Sequence, residues 1–418
     1  MSVQTVPPKK TFTLGMLLYD TRYRSMTIQI VALAGFMLLI SWLISNTIQN
    51  LETLGKGVEL WFLFEPSSYD INQKLIEYSS RSTHLRAAFV GLINTLIVAV
   101  LGCITATVLG IAIGILRLSN NWIVAKIMTC WVEIFRNVPV LLWIVFTMAV
   151  LIESLPRPAT FRGENPESSL LFWDSVAITN RGTYLPEPFF SNGLGDISIF
   201  GIFEVSLDLV AFLIVLFAGI FVSNILKKRA DKTQQTTGHR PLVWPYRIAV
   251  VVIPPIILLY ILGFYLGKPE LKGFNFQGGI YLRNSLIALW IALSCYTSAF
   301  IAEIVRAGIL AVSKGQTEAA YSLGLRPGLT MNLIILPQAL RVIIPPLISQ
   351  FLNLTKNSSL AISVGYMDIT GTLGGITLNQ TGRELESILL LMLVFLGISL
   401  GISAVMNWYN STVKIKER

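Results

Sequence analysis

Gly315-Gln-Thr-Glu318-Ala319-Ala320-Tyr-Ser-Leu-Gly324-Leu-Arg-Pro-Gly-Leu-Thr-Met-Asn-Leu-Ile334-Ile-Leu336-Pro337-Gln-Ala-Leu340 is a short polar stretch set between two long apolar ones. Thr317 can N-cap a short helix, with Glu318 near its positive end. Ala319, Ala320, Tyr321 and Leu323 carry that helix. Gly324 can close it in a left-handed turn, and Pro327-Gly328 forces a loop. The spacing predicts a small-residue helix lying outside the bilayer and held between two membrane spans. Small side chains there let another surface approach the backbone closely.

The flanking runs extend into a pattern of eight apolar segments, each judged against the ~20 residues that a membrane-spanning helix requires. They are Thr27–Gln49, Ala87–Leu116, Val138–Ile152 with an amphipathic lead-in from Asn121, Leu207–Leu226, Ile248–Leu266, Ser285–Val305, a seventh starting near Leu340, and Ile388–Trp408. The seventh is expected to be interrupted by Pro345-Pro346 and by the polar run Asn353–Ser359. Long loops fall at 50–86 and 153–206. The first apolar run exceeds 20 residues and has no small-residue cleavage site, so it reads as a span and not as a cleaved signal.

Composition agrees. The 418 residues are 53% apolar and only 13% charged, with a mean hydropathy of +0.66. Charge at about half the level of soluble chains excludes a water-soluble enzyme, and the apolar content excludes disorder. Continuous apolar runs, without alternation, exclude a membrane barrel. The net charge of +9 reads as the positive-inside bias of a membrane protein, not as a nucleic-acid-binding surface. Alternate loops and ends (1–26, 117–136, 227–247, 306–341 with Glu303 at the adjoining helix end, and 411–418) carry most of the Lys and Arg, leaving one face at +14 and the other at −5. Both termini are therefore expected in the cytoplasm. Lys227, Lys228, Arg229, Lys232 and Arg240 are expected in a short cytoplasmic loop that meets anionic lipid.

Catalytic and cofactor signatures are missing from the sequence. It has no phosphate-binding loop, no HExxH, CxxC or GxSxG motif, and only two histidines, His84 and His239, both expected in loops. Cys103, Cys130 and Cys295 sit in apolar context at spacings that fit neither disulfides nor a metal site. No catalytic residue and no metal ligand is assigned.

The stretch 315–340 resembles the EAA loop of the permease subunits of ATP-binding-cassette (ABC) importers. Glu318-Ala319-Ala320, Gly324 after three intervening residues, Ile334 and Leu336-Pro337 fill every position of that pattern. Gly91-Leu-Ile-Asn-Thr-Leu, Glu133-Ile-Phe135-Arg136-Asn137-Val-Pro139, Ala299–Ile309 and Lys356-Asn357-Ser358-Ser359-Leu360 are similar to stretches of the polar amino-acid (His/Glu/Gln/Arg) permeases. Asn137 replaces their usual Gly and Asn357 their usual Asp. The resemblance covers about 87–152 and 283–408, and the larger layout is similar to a general L-amino-acid permease subunit.

The resemblance implies an all-α polytopic membrane protein of about eight transmembrane helices, with a five-span type I ABC importer (MetI-like) core. The core would comprise 87–152 and 283–418, with the coupling loop at 306–341. Residues 1–86 would add the first span and a loop, and 153–282 an insertion holding two further spans. The implied function is import of polar L-amino acids across a bacterial cytoplasmic membrane by alternating access. The implied partners are a second permease (a different chain, with a homodimer as the alternative), two cytoplasmic ATPases that hold the ATP and Mg, and an extracytoplasmic amino-acid-binding protein. Thr317, Glu318, Ala319, Ala320 and Gly324 would dock in the ATPase. An ion-coupled secondary transporter or a non-transporting scaffold or sensor are the rival readings; the first calls for paired acidic residues at mid-membrane, which the sequence lacks.

Two groups of polar residues in the spans remain. Glu303 and Arg306 stand i,i+3 near a span end and are expected to pair. Arg136, Asn137 and Pro139, with Lys356, Asn357, Ser358 and Ser359, are candidates for lining the substrate path. A helix broken at Pro345-Pro346 would expose polar groups there. Asn357 in place of Asp removes a carboxylate that would favour cationic substrates. The topology predicts that, on a cysteine-free background, a cysteine at Ser191 is labelled from outside the cell and one at Thr233 from inside. Labelling of both from one side would overturn it.

Overall fold

The computed structural model describes residues 15–413 apart from 54, 56, 58, 163–166 and 200–202. Among the described residues, eight helices are long and apolar enough to cross a membrane. The chain divides into two compact units, residues 1–62 and 63–418. The first contains span one, Thr21–Thr53, whose large apolar side chains are exposed along its length. The loop after Phe62 belongs to the second unit, not to a 1–86 segment: Tyr69, Ile71, Ile76 and Tyr78 bury against Ala87 and Val90.

The second unit is built around span two (His84–Leu116) and span six (Asn284–Leu310). Small residues recur every fourth position along span two, at Gly102, Ala106, Gly110 and Gly114, and all four are buried. A carbon added at Gly110 would lie 2.6 Å from Ile301 Cβ, and one at Gly114 would lie 2.8 Å from the Ala302 carbonyl. Between helices in lipid no water is released on contact, so association depends on close packing and hydrogen bonds. Both are present. Thr105 Oγ1 lies 2.5 Å from Ser294 Oγ and accepts a bond from Trp290 Nε1 at 3.1 Å. Val98, Ala106, Leu289, Leu293, Ile301 and Leu354 form the core of this unit.

Several boundaries differ from the sequence-based expectations. An amphipathic helix, Trp122–Asn137, is capped by Asn121 Oδ1, which accepts from the N–H groups of Ile123 and Val124. Val138-Pro139 separates it from span three, Val140–Ser154. Span four, Leu207–Thr237, runs through the basic stretch expected as a loop, because nothing stops it before Gly238 at φ 73°. Span five, Trp244–Ile261, stops short of Leu266, since Gly263 at φ 65° turns the chain into a strand. His84 opens span two and is buried; it does not lie in a loop.

Span seven needs the largest correction. It begins at Pro327, passes through a wide π-helical turn at Met331–Ile335, and continues as a helix over Leu336–Asn357. Pro345 and Pro346 lie inside that helix without breaking it. Each removes one N–H from the ladder, but Ile343, Ile344 and Ile348 are buried on either side and hold the helix in place. The interruption comes later, where Ser358–Val364 tightens to a 3-10 helix and Gly365 turns at φ 68°. Span eight is Glu384–Val413.

The insertion contains short strands that an all-helical reading does not anticipate: β1 Ala177–Thr179, β2 Gly182–Leu185, β3 Glu187–Phe190, β4 Asp196–Ile199, β5 Phe203–Ser206, β6 Phe264–Gly267, β7 Glu270–Lys272, β8 Asn275–Gln277 and β9 Ile280–Arg283. Strands β1, β2 and β9 form an antiparallel sheet in that order, with Ala177 opposite Tyr184 and Gly182 opposite Arg283. Asn284 Nδ2 donates to the Thr179 carbonyl at 3.2 Å and so ties the sheet to the start of span six.

Packing of this kind predicts a sharp difference between two glycines. Gly110→Val should destabilise the chain in mixed-micelle denaturation by about 1–3 kcal/mol, the usual penalty of overpacking. Gly397→Ala, which lies mid-helix and meets nothing within 4 Å, should instead leave stability unchanged or raise it by up to about 1 kcal/mol, because alanine is the better helix former.

Candidate functional site

The helix that follows span six is Lys314–Ser322. It starts one turn earlier than the Thr317 cap predicts: Ser313 is the cap residue, and the Gln316 N–H reaches the Ser313 carbonyl at 3.1 Å. Thr317 and Glu318 therefore lie within the helix, with Glu318 exposed. Its end is as expected. Gly324 has φ 77°, its N–H donates to the Tyr321 carbonyl at 2.9 Å, and the Leu325 N–H donates to the Ala320 carbonyl at 3.1 Å. That pair of bonds is a Schellman closure, which needs a residue free to take positive φ. Ala320 is buried, whereas Ala319, Tyr321 and Leu323 are exposed. Gln338 Nε2 donates to Gln316 Oε1 at 3.3 Å, fixing the short helix to span seven.

Behind this helix, four charged residues from three elements meet. Arg117, at the end of span two, donates through Nη1 to Glu303 Oε2. Arg306 Nη1 lies 3.4 Å from Glu303 Oε1, and Arg136 Nη1 lies 3.9 Å from Glu303 Oε2. The Arg136 guanidinium also stands 5.4 Å from the Phe300 ring centre, within range of a cation–π attraction. Sequence reasoning identified the Glu303 and Arg306 pair, but Arg117 was missed. Its signal was present: a basic residue closing an apolar run on the same face as Arg136 and Arg306. Asn137 instead bonds Glu133 Oε2 at 3.1 Å, and Pro139 caps span three.

The other candidate path residues are placed unevenly. Lys356 is exposed and Asn357 half-buried. Ser358 is fully buried, with its hydroxyl donating to the Thr355 carbonyl at 2.7 Å; the Ser359 hydroxyl donates to the Lys356 carbonyl at 2.8 Å. Both serines thus satisfy the last turn of their own helix. Among the described residues, Arg136 is directed to Glu303 and the Phe300 ring.

A second polar network, at the opposite end of span two, was not legible in the sequence. Asn94 Nδ2 donates to the carbonyls of Gln73 and Met367, each at 2.8 Å. The Ile369 N–H donates to Thr95 Oγ1 at 3.1 Å, and the Tyr366 hydroxyl donates to the Asn94 carbonyl at 3.2 Å. These bonds pin the segment after span seven onto span two. Asp368 is buried there, its Oδ1 accepting from the Gly371 N–H at 2.8 Å. Burial pushes its carboxyl from 3.8 up to about 7.

Comparison with known proteins places these features. Residues 240–414 match the family described as the inner membrane component of binding-protein-dependent transport systems. The chain is 55% identical, over the full length of both, to the glutamate/glutamine/aspartate/asparagine transport system permease protein BztB of Rhodobacter capsulatus. It belongs to the amino-acid ABC-transporter permeases. Within that family it is also 42% identical to the putative amino-acid ABC transporter permease protein YhdX of Escherichia coli, over 94% of this chain and 95% of the relative. It is 40% identical to the general L-amino acid transport system permease protein AapQ of Rhizobium johnstonii, over 100% and 99%. As a permease of this family, the chain is a multi-pass membrane protein whose role is transport.

Asp368 gives this permease a pH signature. The folded carboxyl holds its proton more tightly than the unfolded one, so its stabilising contribution is complete below 3.8 and is lost as pH rises through about 7. Melting of the purified permease should therefore fall between pH 5 and 8, and Asp368→Asn should flatten that fall. An unchanged slope in the variant would assign the pH dependence to other groups.

Proposed function

We propose that this permease and a second, different permease chain together form the membrane pathway of an importer for acidic amino acids and their amides, powered by two cytoplasmic ATPases and supplied by an extracytoplasmic binding protein. The 55% identity to BztB along the whole chain supports this substrate class. Asn357 in place of Asp agrees with it, since no carboxylate at that position opposes an anionic substrate. The charge split between the two faces supports a cytoplasmic location for both termini and for the helix Lys314–Ser322. ATP and Mg belong to the ATPase chains.

The observation that carries the coupling role is the closed, exposed short helix. Its Schellman end, its Gln316–Gln338 bond and its buried Ala320 make it a rigid knob and not a slack connector. Exposed Ala319, Tyr321 and Leu323 provide a surface for the ATPase cleft. When ATP closes the ATPase pair, the knob moves with its cleft. Spans six and seven, attached at its two ends, move with it. Glu303, held by Arg117, Arg136 and Arg306, passes the displacement to span two and to the helix before span three. The spans then open outward, receive substrate from the binding protein, and return on hydrolysis.

Gly324→Val tests this reading. A side chain at φ 77° costs roughly 1 kcal/mol or more, equivalent to about fivefold weaker ATPase docking. The variant should insert normally, co-purify less ATPase and lose binding-protein-stimulated hydrolysis. Normal values for both would remove the coupling role, and uptake into proteoliposomes without the ATPase would favour an ion-coupled transporter.

A further inference from the structure

The loop 153–206 contains seven acidic residues and only three basic ones, Arg157, Arg162 and Arg181. All three basic residues line a single cavity of about 480 Å³, together with Pro158, Ala159, Asn180 and Phe274. Among the described residues no acidic side chain lines it. The convergence is built by the fold. Arg157 and Arg162 flank the short turn Pro158–Phe161, while Arg181 sits in the tight connection between β1 and β2. Phe274, in the β7–β8 connection, organises two of them: Arg181 Nη1 donates to its carbonyl at 3.0 Å, and the Arg162 guanidinium lies 5.7 Å from its ring centre. Beneath, Phe276 is buried between Phe161 and Tyr184, which fixes the floor. None of the three arginines has a carboxylate within ion-pair distance among the described residues.

Like charges gathered on a loop that is otherwise acidic repel one another unless an anion joins them. We propose that Arg157, Arg162 and Arg181 form a cationic socket on the outward face of the insertion that receives an acidic side chain of the binding protein. The proposal rests on the orientation and partners proposed above. Charge complementarity and magnitude select this occupant. The three side chains are exposed, and an exposed guanidinium–carboxylate contact is worth roughly two- to fivefold in affinity. That is too little to gather a free amino acid from salt solution. It suffices to steer and register a protein that brings its own carboxylate and many other contacts.

The test uses the complete transporter in nanodiscs, with ATP hydrolysis followed against binding-protein concentration. Charge reversal of all three residues (Arg157→Glu, Arg162→Glu, Arg181→Glu) should raise the half-saturating binding-protein concentration by about tenfold or more and flatten its salt dependence. Hydrolysis without binding protein should be unchanged. If the triple variant fails to assemble, Arg162→Gln and Arg181→Gln singly should each shift half-saturation by about threefold. A wild-type response that the variants retain, with the same salt slope, would overturn the socket alone; a wild-type transporter indifferent to binding protein would overturn the importer reading beneath it. Two further results would also overturn the socket. In one, free glutamate or inorganic phosphate competes beyond matched chloride, marking a small-anion pocket. In the other, the shift appears only in nanodiscs containing anionic lipid, marking a headgroup site.

Discussion

Close contact between span two and span six is the constraint on which the rest of the second unit depends. The small residues at every fourth position of span two place backbone against side chain with no room for a methyl group at Gly110 or Gly114. In lipid this contact cannot draw on the hydrophobic effect, so it is held by dispersion over a tight surface and by the Thr105, Ser294 and Trp290 hydrogen bonds. A loose pair of helices there would separate the two halves of the chain, which are joined in sequence only through the insertion.

That frame gives the two polar clusters their meaning. At one end, Glu303 holds arginines from span two, from the amphipathic helix before span three, and from its own helix. A single carboxylate shared among three cations cannot follow one partner without weakening its contact with the others. In the proposed coupling, a push on the short helix after span six would be passed to all of them. At the other end, Asn94 and Thr95 fasten the segment after span seven to span two. Gly91 permits that approach, since an added carbon would stand 2.8 Å from the Asp368 carbonyl. Between these ends, span seven passes its two prolines as a continuous helix and narrows only at Ser358.

The insertion follows a different physical logic. Spans four and five pack as a hairpin, with Gly219 close against the Val250 carbonyl. The chain outside them is stabilised by short ladders and aromatic contacts, not by an apolar core of the size found between spans two and six. Such a module can present charged side chains without burying them. It is also joined to the core at a defined point, where Asn284 opens span six.

How much of this was legible in the sequence follows from the range of each interaction. Eight spans, the short helix and its turn at Gly324 are local matters: apolar run length, small-residue composition and the freedom of one glycine at positive φ settle them within a few residues. The Glu303 and Arg306 pair is an i,i+3 contact and was legible for the same reason. The start of that short helix was misplaced at Thr317 because Ser313 is an equally good cap, and only the packed chain selects between them. Pro345-Pro346 were expected to break span seven because local rules count missing hydrogen bonds; burial of Ile343, Ile344 and Ile348 outweighed them. Arg117 meeting Glu303, Asn94 meeting Met367, and three arginines of an acidic loop meeting over Phe274 are contacts between residues tens to hundreds of positions apart. No local pattern encodes them, because which side chains share a space depends on how helices and strands pack after they have formed, and that was decided by the tertiary structure alone.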